Sequence, residues 1–109
     1  MKKILALVLC LMLTLGAVSA AVAEFAPVAK DDLKVGFIFI GDVSDKGYTY
    51  AHYQGALEMQ EKLGLKDDQI VYKTNVTEDA ACDTALQELV EAGCNIIFGN
   101  SYGYMNFME

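Results

Sequence analysis

From Lys34 to Ile40 the chain is rich in β-formers and, once past the lysine, has no polar side chain: Val35-Gly-Phe-Ile-Phe-Ile40 is apolar at odd and even positions alike. A strand with one face in water alternates, whereas a strand apolar on both faces must be covered on both, as happens inside a parallel sheet flanked by helices. The turn that follows, Gly41-Asp-Val-Ser-Asp-Lys-Gly47, is polar and punctuated by glycine. From Tyr48 to Leu63 the apolar or small positions 48, 51, 55, 56, 59 and 63 recur at helical spacing, and Gly64 supplies a C-terminal stop. This is a βα unit. In open α/β sheets ligands bind at the carboxyl ends of strands, so the turn from Gly41 to Thr49 is the first place to look for function.

Two further units follow. Gln69 to Thr74 alternates as a strand, and Asn75-Val-Thr-Glu78 fits an N-cap with a carboxylate three residues on. Ala81, Cys82, Ala85, Leu86, Leu89 and Val90 then form one helical stripe closed by Gly93. A third strand over Asn95 to Phe98 runs into Gly99-Asn-Ser-Tyr-Gly103 and the opening turn of another helix. Three βα steps joined by short loops predict an α/β fold, a parallel sheet with helices on both faces and right-handed crossovers. The segment is long enough for one small core but short for a complete doubly wound domain, so the expectation is an incomplete lobe at the front of a longer protein.

The beginning of the chain reads as an address label. Met1-Lys-Lys is a short basic start, Ile4 to Val18 is almost unbroken apolar sequence, and Ala21-Val-Ala23 offers a cleavage site. That order describes a secretory signal over residues 1–23, with an apolar run too short for a bilayer span of about 20 residues. Residues 24–33, with the chain's one proline, read as a mobile leader, and residues 34–109 as the first part of a lobe. The expected localisation is therefore extracytoplasmic, periplasmic or at the cell surface. Without the signal, all 15 acidic residues remain against six lysines and no arginine. Such an acidic balance excludes nucleic acid as the partner, because phosphate binding needs clustered cations.

Several chemistries are disfavoured by spacing. Cys82 and Cys94 stand at opposite ends of a helix, about 15 Å apart at 1.5 Å per residue, beyond disulfide reach. They read as small buried thiols, and without a C-x-x-C pair they predict no zinc site. The one histidine, His52, has no second histidine to share a metal or a proton relay with. Neither Ser44 nor Ser101 is framed as the G-x-S-x-G of a hydrolase. Gly41 and Gly47 lack dinucleotide-fingerprint spacing, and Asp42 and Asp45 would repel a pyrophosphate. No cofactor is expected. What two carboxylates beside an aromatic (Tyr48) and a small hydroxyl (Thr49) do well is accept hydrogen bonds from a neutral, hydroxyl-rich ligand and stack on it. The same residues read equally well as local structure, with Asp45 capping the helix and Tyr48 packing on the strand.

The ordered set Val35-Gly-Phe-Ile38, Gly41-Asp-Val-Ser-Asp-Lys-Gly-Tyr-Thr49, Gly55 and Ile96-Ile-Phe-Gly-Asn-Ser-Tyr-Gly-Tyr-Met105 resembles the basic membrane protein family of ABC-transporter substrate-binding proteins, of purine-nucleoside-receptor type. The resemblance runs over essentially all of the chain after the leader. It implies a periplasmic-binding-protein fold in which Asp45 and Thr49 supply first-loop polar contacts, Tyr48 packs on or near a bound base, and Asn100, Ser101 and Tyr102 line the cleft from the third loop. Asp42 joins them as a further loop acceptor. Two departures are visible: nucleoside-binding members commonly show asparagine where this chain has Thr49, and an acidic residue in the third loop where it has Asn100-Ser-Tyr102. A lipid-attachment box is not evident around Cys10 either. The implied function is non-enzymatic: capture of a small polar ligand, nucleoside-like or sugar-like, between two lobes, and delivery to a membrane permease. The other reading is an exported α/β sensor or enzyme whose active residues lie beyond residue 109.

Overall fold

A computed structural model describes residues 27–109; the expected signal segment and the first residues of the leader lie outside the described residues. Three parallel strands, β1 (Val35–Ile38), β2 (Ile70–Lys73) and β3 (Ile96–Gly99), form one sheet in the order β2-β1-β3. Val35 pairs with Ile70 on one side and Ile96 on the other, and the register continues unbroken to Ile38. The helices are α1 (Tyr48–Leu63), α2 (Ala80–Glu91) and the short α3 (Met105–Met108). The α/β architecture with helices on both faces is therefore present, at three strands.

The central position of β1 explains its composition. All four of its residues are buried. Val35 and Phe37, with Phe39 just beyond, face one layer, where Ala56 of α1 packs with Leu65 and Ile70, flanked by Tyr53, Met59 and Tyr72. Ile38 faces the other layer, meeting Val76, the α2 residues Cys82, Ala85 and Leu89, and Tyr104. Period-two geometry thus divides an uninterrupted apolar run between two cores. Ile38, Phe39 and Leu89 are each at most 1% exposed, and burying a side chain of this size contributes about 1.5–3 kcal/mol. Gly36 belongs to the α2 face, where a Cβ would stand 3.0 Å from a Leu89 methyl and 3.2 Å from the Cys94 sulfur, so its bare backbone lets α2 approach closely.

Helix α1 has the predicted bounds, ended by Gly64 in the left-handed conformation at φ 66°. Its buried face differs from the predicted stripe. Thr49 and Ala56 are buried, with Tyr53 and Met59 half-buried, while Tyr48, Ala51, Gly55 and Leu63 point outward. Large and small apolar residues occur all around this helix, so its pattern does not fix the rotation; docking of Thr49 does. In α2 the predicted stripe is buried at Cys82, Ala85 and Leu89, half-buried at Leu86, and exposed at Ala81 and Val90.

The predicted N-cap at Asn75 to Glu78 is corrected. Helix α2 begins at Ala80, and Asp79 caps it by accepting the Ala81 N–H at 2.9 Å. Asn75 instead adopts φ 56°, a left-handed conformation that asparagine tolerates, and donates its N–H to the Gly41 carbonyl at 3.1 Å. Strand β1 is three residues shorter than predicted and β2 two shorter, while β3 has the predicted length but begins one residue later, at Ile96. The end of the expected mobile leader is held in place. Lys30–Asp32 forms a turn of 3-10 helix, and the Gln69 amide donates 2.8 Å hydrogen bonds to the carbonyls of Lys30 and Leu33. Both cysteines take the expected places, Cys82 fully buried and Cys94 half-buried at the margin of the same core.

Candidate functional site

The strand order places the site. The segment leaving β1 runs to α1 on one face, whereas the segment leaving β3 runs to Tyr104 and α3, which pack with α2 on the other. Adjacent strands whose connections part to opposite faces leave a crevice at their carboxyl ends, the switch point where open α/β sheets bind ligands. Here that switch point lies between the Gly41–Thr49 turn and the Asn100–Tyr102 loop.

Asn100 joins the two loops. It is 7% exposed, and its side-chain oxygen accepts the Ile40 N–H at 2.9 Å while its amide donates to the Thr49 hydroxyl at 3.5 Å. The Asn100 backbone carbonyl accepts the hydroxyl of Tyr48. Thr49 is 1% exposed, and its oxygen also accepts the Gly41 N–H at 3.2 Å. Gly41 is required for that approach, since a Cβ there would lie 2.9 Å from the Thr49 oxygen. Thr49 and Asn100 are therefore the buried joint between the loops, with their polar atoms directed at the protein.

Asp45 is exposed and serves the helix. One carboxylate oxygen accepts the N–H groups of Gly47 and Tyr50, both at 2.9 Å, and the other accepts that of Thr49 at 3.2 Å. Gly47 holds the N-cap position but has no side chain, so the carboxylate two residues upstream satisfies the donors at the positive end of α1. These backbone bonds, from Gly47 above all, hold the Asp45 carboxyl below the ordinary aspartate range. Between them Lys46 takes φ 55°, a left-handed conformation with a cost for a residue bearing a Cβ. Asp42 accepts the Ser44 N–H at 2.8 Å and the Ser44 hydroxyl at 2.7 Å, and the same bonds lower its carboxyl.

The outward groups are aromatic and polar. Tyr48 is 58% exposed, with the His52 ring packed edge-on at 4.7 Å between centroids. Tyr102, in the 3-10 turn Tyr102–Tyr104, is 86% exposed. Ser101 is half-buried, and its hydroxyl donates to Glu78, whose same oxygen accepts the Gly103 N–H at 3.0 Å. All the predicted site residues thus lie on the two segments that meet at this strand end, the Gly41–Thr49 turn and the Asn100–Tyr102 loop. Sequence reasoning missed Glu78 and Asn75, which reach these loops from the β2–α2 connection. The left-handed asparagine had a weak signal in its residue type; Glu78 had none. Among the described residues no three His, Cys, Asp or Glu side chains stand together as a metal site.

The fold and this strand-end arrangement define a parallel α/β module of the binding-protein class, with hydrogen-bond acceptors and exposed aromatic rings set on a rigid joint. The chain belongs to the Bmp family, described as ABC transporter substrate-binding proteins, PnrA-like, whose model matches residues 32–109. A purine-binding protein of Brucella abortus (strain 2308) is 41% identical over 93 residues, covering 82% of this chain and 26% of that relative. The chain thus spans about a quarter of the length of that relative.

Proposed function

We propose that this chain is part of the extracytoplasmic solute-binding component of an ABC importer, one that binds a purine or nucleoside-like ligand between two lobes and delivers it to a membrane permease without chemical change. The observation that carries the reading is the joint at Asn100. It locks the loops after β1 and β3 together, with Tyr48 and Tyr102 exposed beside it and Ser101 half-buried between. Family membership and the purine-binding relative support it.

In this reading Tyr48 and Tyr102 offer aromatic faces to a planar base, while Asp42, Asp45 and Ser101 offer polar atoms to its rim and to sugar hydroxyls. Asp45 retains acceptor capacity beyond its helix-capping bonds, since an ionised carboxylate has about four lone-pair sites. Thr49 and Asn100 act beneath the ligand, fixing the geometry of the groups that touch it.

The test is a thermal-shift and calorimetry panel on the intact protein with nucleobases, nucleosides, free sugars and amino acids. A ligand at 100 times its dissociation constant stabilises the folded state by about 2.7 kcal/mol. A purine or nucleoside is expected to give the largest shift. A folded preparation that ignores every purine and answers to a sugar or an amino acid would overturn the purine assignment.

A further inference from the structure

Glu78 lies outside the two loops of the site, yet it is bonded to the outer one at two points. A single carboxylate oxygen accepts the Ser101 hydroxyl and the Gly103 N–H, bracketing Tyr102 on both sides. The approach is so close that a Cβ on Gly103 would overlap the Glu78 carboxylate. At its two ends the loop is anchored by Asn100 and by Tyr104, whose hydroxyl donates to the Val76 carbonyl at 2.6 Å. Between those anchors, Glu78 is the side chain that fixes the part of the loop facing outward.

The bond to Ser101 has a chemical polarity. An ionised carboxylate only accepts, so the single proton of the Ser101 hydroxyl is committed to Glu78. What remains of that hydroxyl for a third party is lone pairs. We propose that Glu78 is a positioning residue for the ligand loop and that, by holding the Ser101 proton, it makes Ser101 an acceptor toward the ligand, selecting a donor group such as an amino nitrogen over a carbonyl oxygen. This rests on the reading of the crevice as a purine site. A site built to meet one polarity of hydrogen bond rejects the opposite polarity, because an acceptor facing an acceptor is left unpaired.

The experiment uses the intact protein and two probe pairs in which an amino group at the six-position is exchanged for an oxo group, N1 changing with it from acceptor to donor: adenine against hypoxanthine and adenosine against inosine. Isothermal titration of the wild type is expected to give at least tenfold tighter binding of the amino member; equal or tighter binding of the oxo member overturns the proposal. In Glu78→Ala, and in Gly103→Ala, whose new methyl displaces the carboxylate without altering the start of α2, the Ser101 hydroxyl is free to turn. The amino-to-oxo ratio should then fall at least fivefold, whereas a merely structural loss would weaken both members alike. Glu78→Gln, whose amide oxygen still accepts both bonds, should restore the ratio. Hydrogen exchange at the Gly103 amide reads the clamp without any ligand. Exchange at least tenfold faster in Glu78→Ala than in the wild type is expected, and equal rates would overturn the clamp. If no probe binds while the amide is protected, the purine reading fails and the acceptor assignment falls with it, but the clamp stands.

Discussion

The side-chain oxygen of Asn100 accepts the backbone N–H of Ile40 at 2.9 Å, joining the end of β1 to the loop after β3. Ile40 lies just past the last paired residue of its strand, so the bond extends the sheet by one rung through a side chain. Truncation in Asn100→Ala leaves the Ile40 donor without its partner at a part-buried position. We expect a loss of about 1–3 kcal/mol in denaturant unfolding of the intact protein. Asn100→Asp, which keeps an acceptor but loses the donor to Thr49, should fall between the two. A variant as stable as the wild type would show that the joint is not energetically significant.

Asp45 separates capping from ligand contact by a choice of substitution. Both oxygens of Asp45 accept backbone N–H groups and asparagine keeps only one acceptor, so Asp45→Asn should lower the thermal midpoint, by less than Asp45→Ala does. If the carboxylate also meets a ligand hydroxyl, Asp45→Asn weakens binding roughly tenfold, as expected for removing a charge-assisted bond. Unchanged affinity in a folded Asp45→Asn protein would confine the residue to capping.

Acid should loosen the site before the core. Asp42, Asp45 and Asp79 are held below the ordinary value of 3.8 by backbone N–H groups, with Ser44, Gly47 and Ala81 first in each case. A carboxyl lowered in the folded state contributes stability that is complete above its unfolded value and is lost as pH falls through the folded one. Stability should therefore be flat across neutral pH and decline below about pH 4, with Asp45→Asn showing a shallower decline. At the alkaline end, burial pushes the Tyr104 phenol up to about 12. Its folded-state preference for the neutral phenol costs nothing below the ordinary value of 10.0 and opposes ionisation until pH nears 12. Absorbance at the tyrosinate band should therefore show a late-ionising phenol that is missing in Tyr104→Phe.

Two glycines of the recognised pattern should respond in opposite directions. Gly55 lies in α1, and a Cβ placed on it would have no neighbouring atom within 4 Å, so Gly55→Ala relieves helix entropy at no steric cost. The expected gain is about 0.5–1 kcal/mol. Gly36→Ala drives a methyl against Leu89 and Cys94 and should cost about 1–3 kcal/mol. Urea midpoints of both variants check the pair.

What could be read from the sequence was whatever is written locally. The bounds of α1 follow from a polar turn and a terminal glycine, and the two-faced burial of β1 follows from six residues without a polar side chain. The rotation of α1 could not be read, because Tyr48, Tyr50 and Tyr53 offer similar rings on different sides and the choice is made by the hydroxyl of Thr49 docking on Gly41 and Asn100. The start of α2 was misplaced because Asn75 and Asp79 are both capable caps, and contact with Gly41 removes the first from competition. At the site, the residue types on the two loops were visible, but which of them face inward was not. Asn100 and Glu78 act across long stretches of chain, and such bonds leave no periodicity behind.

Within the sheet, β2 and β3 each pair with β1 and not with each other. Every rung therefore waits for a helix to be spanned, since α1 lies between β1 and β2, and α2 must follow before β3 arrives. During synthesis from the amino terminus, β1 emerges first, with both apolar faces and both edges unmet. It is a template that must be kept from pairing with the wrong chain until its own neighbours are made. The joint between the two loops at Asn100, which needs β3, is the last part of this segment to take shape.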